Sequence, residues 1–126
     1  MRIPAGWFGQ KPGAAGMGSL ELTDHNPALT DKGKLWITLL SGPATLETRR
    51  DLAACSGSKD ELRVDYCGFA GFGGRRWRHI IGESDVPITE FGTVAGNSYF
   101  LVIGFYPRGD TEARKAVEAI LRTASV

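Results

Sequence analysis

The most regular pattern of apolar and polar positions lies at the end of the chain. From Thr111 onward the apolar residues are Ala113, Ala116, Val117, Ile120, Leu121 and Ala124. That spacing gathers them on one stripe of an α-helix and leaves charged residues on the other side. Asp110 stands just before the run, where its carboxylate can accept from unpaired first-turn amides and suits the helix's positive end. The pattern predicts a closing amphipathic helix with one face on a sheet.

Upstream the period shortens to two. Ser19 to Thr23 alternates as a half-buried strand does, and Leu35 to Leu40 is a compact apolar run ended by Ser41-Gly42-Pro43. Glu61 to Cys67 puts Leu62, Val64 and Tyr66 on one face. Arg75 to Ile81 alternates again, with Gly73-Gly74 as the hairpin turn before it. Val86 to Val94 and Ser98 to Tyr106 form a second hairpin about Gly96-Asn97, and Tyr99 to Phe105 is apolar enough for a central strand. Between these strands, Pro43 suits the first turn of a helix over Ala44–Ala54, preceded by Ser41 or Gly42. Its apolar stripe is poor, because Leu46, Arg49, Arg50 and Ala53 share one side. Arg2 to Phe8 reads as an edge strand that tolerates a proline, and Gly9 to Gly18 as a mobile loop. Consecutive antiparallel strands with segregated helices indicate an α+β layer fold with about six strands.

Composition narrows the function classes. The chain has 126 residues, 42% hydrophobic, which suits one domain over 1–126 with a core of its own. Fifteen basic against 14 acidic residues give a net charge of +1, so no overall field favours nucleic acid or an anionic membrane. No apolar run approaches a membrane span, and the N-terminus lacks a signal-peptide pattern. As written the chain reads as cytoplasmic, or as a cell-envelope domain if a leader or lipid anchor precedes it. Cys55 and Cys67 read first as small buried apolar side chains, with a single bridge in an oxidising compartment as the alternative.

Several constellations carry potential chemistry. Gly71 to Arg78 combines glycines with three arginines around Trp77, which could pair phosphates and stack a base. On a strand, however, Arg76 and Arg78 face one way and Arg75, Trp77 and His79 the other. The favoured reading is a solvated arginine row backed by a core tryptophan, since the glycines match no phosphate-loop spacing. Cys67 and His79 fall on joined strands, with Asp65 as a conceivable orienting acid. Cys55, Cys67 and His79 lack the close ligand pair of a metal site. Glu83, Asp85 and Glu90 show no pairing geometry. Arg108-Gly109-Asp110 spells an integrin tripeptide but is explained by strand exit and helix cap. His25 lies in an Asp-His-Asn-Pro turn, solvated or bonded to local backbone.

The layout resembles the PsbP-like family, which includes photosystem extrinsic subunits, a Ran-binding nuclear transport factor, and bacterial envelope or secretion-chaperone domains. Ile3-Pro4-Ala5-Gly6-Trp7 is similar to the family's opening, and the Thr45–Ala54 helix follows a strand as it does there. Val94 to Val102 and Ala116 to Thr123 resemble its closing strand, loop and terminal helix. The resemblance implies an α/β/α sandwich around an antiparallel sheet. It also implies protein binding, and it carries over no active-site residue.

These observations lead to a non-catalytic protein-binding or adaptor domain, chaperone-like in the family's manner, with no cofactor and no metal. Its expected partner contacts are Trp7, Phe8, Phe69, Phe72, Arg76 and Arg78, because aromatic and arginine side chains dominate protein interfaces. Two alternatives remain. One is a small enzyme using Cys67, His79 and Asp65. The other is an anion- or nucleic-acid-binding module using Arg75, Arg76 and Arg78.

Overall fold

A computed structural model describes residues 2, 5, 8–10, 18–23, 35–55 and 62–125, with 8–10 and 18–23 as backbone. In chain order the elements are β1 (Phe8–Gln10), β2 (Gly18–Thr23), β3 (Trp36–Pro43), α1 (Leu46–Leu52), β4 (Arg63–Phe72), β5 (Arg75–Glu83), β6 (Pro87–Ala95), β7 (Ser98–Phe105) and α2 (Thr111–Leu121). The strands form one antiparallel sheet in the order β1-β2-β3-β7-β6-β5-β4. Five of them, β3 to β7, are described with their side chains, and β1 and β2 extend the sheet as backbone. The sequence pattern predicts about six. The chain builds one edge with β1 to β3, crosses through α1 to the far edge, and returns strand by strand until β7 closes beside β3.

Both hairpin turns use glycine where the backbone turns left-handed. Gly73 and Gly74 have φ of 59° and 73°, and Gly96 has φ of 60°, conformations that suit the right-handed twist of the flanking strands. The apolar run of β7 occupies the middle of the sheet, as its composition predicts. The glycine-rich stretch Gly68–Phe72 completes β4 and pairs residue by residue with β5.

Two glycines seat the helices. At Gly104 of β7 a side chain would collide with Val117 of α2, and at Gly92 of β6 a Cβ would stand 2.7 Å from Leu52 of α1. Gly92 pairs with Leu101 and Gly104 with Thr89, so strand alternation puts the two contacts on opposite faces. On the α2 face, Ile37, Trp77, Phe91 and Val102 pack against Val117, Ile120, Leu121 and Ala124 to form the main core. The cap expected of Asp110 is present, its Oδ1 accepting from the Ala113 amide at 2.9 Å, and Gly109 before it is left-handed at φ 79°.

The first helix is shorter than its predicted span. Ser41, Gly42 and Pro43 remain in β3, paired with Phe100, Tyr99 and Ser98. Thr45 is the cap, accepting from the Thr48 amide at 3.1 Å. Only Leu52 of α1 is buried, while Leu46 is 66% exposed, which is the consequence of the poor apolar stripe. No described helix is long and apolar enough to cross a membrane.

Candidate interaction site

The β4–β5 hairpin holds most of the residues singled out in the sequence, and its alternation divides them between two faces. Toward α2 go Ala70, Phe72, Trp77 and His79. Phe72 is therefore half-buried, packed against the core. Its ring stacks on Trp77 with centroids 4.7 Å apart and meets Phe91 edge-on at 5.1 Å, while Trp77 Nε1 donates to the Phe72 carbonyl at 3.0 Å. Expected as a partner contact, Phe72 turns one face of its ring onto Trp77.

The opposite face carries Cys67, Phe69, Arg76 and Arg78, and here the expected solvated arginine row divides. Arg78 is 4% exposed, because it lies beneath α1 and beside β6. One guanidinium nitrogen donates to the Asp51 carbonyl at 2.7 Å and lies 3.3 Å from the Asp51 carboxylate. Another lies 3.3 Å from Glu90 Oε1, and Nε is buried with no partner. Arg78 is thus a structural cation rather than a contact for a partner, and Glu90, which the sequence left unpaired, is its buried counter-charge. Glu83 likewise pairs with Arg108 at 3.0 Å.

Arg76 remains exposed. It is diagonal to Phe69 across the hairpin, since Phe69 is opposite Arg78. Its guanidinium carbon sits 3.9 Å above the Phe69 ring, a cation–π contact that holds the guanidinium on the ring. A groove of about 320 Å³ opens next to this pair. Arg49 and Arg76 bound it, Leu52, Ala53, Phe69 and Val94 supply its apolar surface, and Thr93 completes the lining. Arg49 is held by donation to the Gly96 carbonyl at 2.7 Å, and Thr93 Oγ1 donates to the Arg76 carbonyl at 2.9 Å. On the other side of α1 lies a larger cavity of about 640 Å³, whose lining includes Glu47, Arg50, Asp51, Tyr99 and Leu101. Sequence reading missed Arg49. Its only signal was a basic residue on the exposed side of a helix with little apolar character.

The proposed thiol–imidazole–carboxylate group is not assembled. Cys67 is bonded to Cys55, with Cα atoms 5.6 Å apart, which corrects the expectation of two buried free thiols. Cys67 is opposite Ile80, and His79 is opposite Gly68, so Cys67 and His79 project from different faces. Asp65 falls where the β4–β5 register shifts, and its carboxylate accepts from Arg63 Nε at 3.1 Å.

His79 has a different role under α2. It is 6% exposed, stacks on Phe91 at 4.1 Å, and puts Nε2 2.9 Å from Thr89 Oγ1 and 3.1 Å from Glu118 Oε2. Burial pushes the Glu118 carboxyl up, but the His79 hydrogen bond and the charges of His79, Arg114 and Arg122 outweigh it, leaving Glu118 below the usual carboxylate value. Among the described residues no cluster of three His, Cys, Asp or Glu is arranged to hold a metal.

Of the remaining expected contacts, Phe8 opens β1, described there as backbone, and Trp7 lies outside the described residues. So do His25 and most of the family-like opening.

Comparison with known proteins bears on the fold. No family model and no curated protein matches the chain. Among solved structures, the solution structure of cyanobacterial PsbP (CyanoP) from Synechocystis sp. PCC 6803 matches over 96% of this chain and 82% of its own, with a TM-score of 0.63 and 10% sequence identity. At that identity the likeness is one of fold.

Proposed function

We propose that this chain is a non-catalytic protein-binding domain of PsbP-like fold that meets its partner at the β4 edge and the Phe69–Arg76 patch. The observation that carries the reading is Arg76 lying exposed over Phe69, on a hairpin whose outer strand has a ladder partner only on its β5 side among the described residues. An edge strand offers unpaired backbone groups to an added strand, and a pre-oriented arginine–aromatic pair beside it offers side-chain selectivity. The divergence of Cys67, His79 and Asp65 favours this reading over a thiol enzyme. Burial of Arg78 counts against an arginine row for nucleic acid. Phe8, which opens the opposite edge strand, and its sequence neighbour Trp7 are a second contact in the same proposal. The Cys55–Cys67 bridge fits an oxidising compartment, hence the envelope rather than the cytoplasm.

The test is a photo-crosslinking amino acid replacing Phe69, compared with one replacing Lys115 on the solvent side of α2, in cells that produce the protein. A discrete adduct formed only from the Phe69 position is the expected result. No adduct from Phe69, or the same set from both positions, would overturn the assignment.

A further inference from the structure

We infer that the groove between α1 and the β4–β5 hairpin takes a carboxylate-bearing segment of a protein partner, an acidic side chain flanked by apolar ones. This rests on the protein-binding reading above and says what chemistry the partner brings.

Charge points to an anionic occupant. Two guanidinium groups, Arg49 and Arg76, bound the groove, and none of its lining residues is acidic. Neither arginine has a carboxylate partner among the described residues. Elsewhere in the molecule the described ion pairs consume arginines: Arg63 with Asp65, Arg78 with Asp51 and Glu90, Arg108 with Glu83, Arg114 with Glu118. Here two forks stand together with donors left over. A planar fork recognises a carboxylate through two parallel N–H···O bonds.

Both arginines are preorganised. Arg76 is held on the Phe69 ring at 3.9 Å, and Arg49 is fixed by its 2.7 Å bond to the Gly96 carbonyl. Part of the side-chain entropy that binding would cost is already spent in the free protein.

The rest of the groove's lining bears on the size and kind of occupant. Leu52, Ala53 and Val94 give this largely polar groove an apolar part, against which an aliphatic group next to the carboxylate packs. A nucleic-acid strand needs a track of positive charge several nucleotides long with faces on which bases stack. This groove is about 320 Å³, its one aromatic face is already covered by Arg76, and Glu47 and Asp51 stand on the same short helix as Arg49. The site suits one or two side chains of a peptide.

The experiment uses the whole chain and a fluorescein-labelled peptide of alternating Glu and Leu, followed by fluorescence anisotropy. A Lys/Leu counterpart and a labelled single-stranded oligonucleotide are run beside it. The Glu/Leu peptide should bind, more weakly as salt rises, and the Lys/Leu peptide should not. Arg76→Glu and Arg49→Glu should each weaken binding by about tenfold or more, and Lys115→Glu should not. Thermal melts establish that the variants are folded. Absence of Glu/Leu binding, binding by both groove variants as tight as that of the parent, or an oligonucleotide that binds more tightly and is lost in the same variants would overturn the inference. The crosslink from Phe69 separates the two levels. An adduct that survives Arg76→Glu leaves the protein-binding reading standing and removes this one, whereas no adduct in the unsubstituted protein removes the reading beneath it.

Discussion

Val117 of α2 rests directly on the backbone of Gly104 in β7, in the space a β-carbon would occupy. Val117 is fully buried, and a β-branched side chain in a helix has essentially one rotamer, so it cannot swing aside. Any side chain at position 104 must push α2 away from the sheet that Ile120 and Leu121 also cover. Gly104→Ala should therefore lower stability to urea by about 1–3 kcal/mol. Gly71→Ala, where nothing lies within 4 Å of an added Cβ, should stay within roughly 0.5 kcal/mol of the parent. Equal effects at the two positions would show that the helix does not depend on this contact.

Arg78 and Glu90 form a buried pair, their side chains 4% and 8% exposed. Removing one partner strands the other in the interior, where Asp51, 43% exposed, compensates only in part. Glu90→Ala should cost about 3 kcal/mol. Replacing both residues with apolar ones of similar size, as in Arg78→Met with Glu90→Leu, should cost less than Glu90→Ala alone. The measurement is a double-mutant cycle by chemical denaturation. Additive losses would mean that the pair is not coupled.

That pair also marks where sequence reading stops. The closing helix was legible because its cap at Asp110 and its stripe from Ala113 to Ala124 are local, spaced by the helix itself. The outward and inward phases of β5 were legible for the same reason, and Trp77 does lie in the core. Arg76 and Arg78, however, share one phase and have opposite fates. The difference comes from Asp51, 27 residues away on α1, and Glu90, 12 residues away on β6, and strand alternation says nothing about which neighbours cover a face. An opposite charge at an interior position of the next hairpin strand was the available hint. The packing of Phe72 on Trp77 went unread because its glycine-rich surroundings concealed a regular strand, and the groove stayed hidden because α1 has no apolar period to show where it docks.

Glu118 makes stability depend on pH in a definite direction. Its carboxyl titrates below the usual value because the hydrogen bond from His79 and the nearby positive groups outweigh its burial. A depressed carboxylate binds protons less readily folded than unfolded. Its contribution is present above the unfolded pKa and is lost as the pH falls through the folded one. Unfolding followed in acid should show stability falling below the ordinary glutamate range, and Glu118→Gln should flatten that limb. If Glu118→Gln leaves the acid limb unchanged, other carboxylates carry it.

The Cys55–Cys67 bridge joins the segment just after α1 to edge strand β4, at a separation of 12 residues. Closing a loop of about 15 residues restricts the unfolded chain by roughly 3 kcal/mol in the chain-entropy account. The bridge also fastens the crossover that brings Asp51 over Arg78 and sets one wall of the arginine groove. Reduction should thus lower stability by about 2–4 kcal/mol, and peptide binding in the groove should weaken with it. The Cys55→Ser, Cys67→Ser double variant should reproduce both losses and no longer respond to dithiothreitol, whereas free thiols titratable in the oxidised native protein would contradict the bridge itself. Stability and peptide binding need not fall to the same extent. If binding falls while β4 and β5 amides keep their hydrogen-exchange protection, the crossover rather than the hairpin positions Arg49.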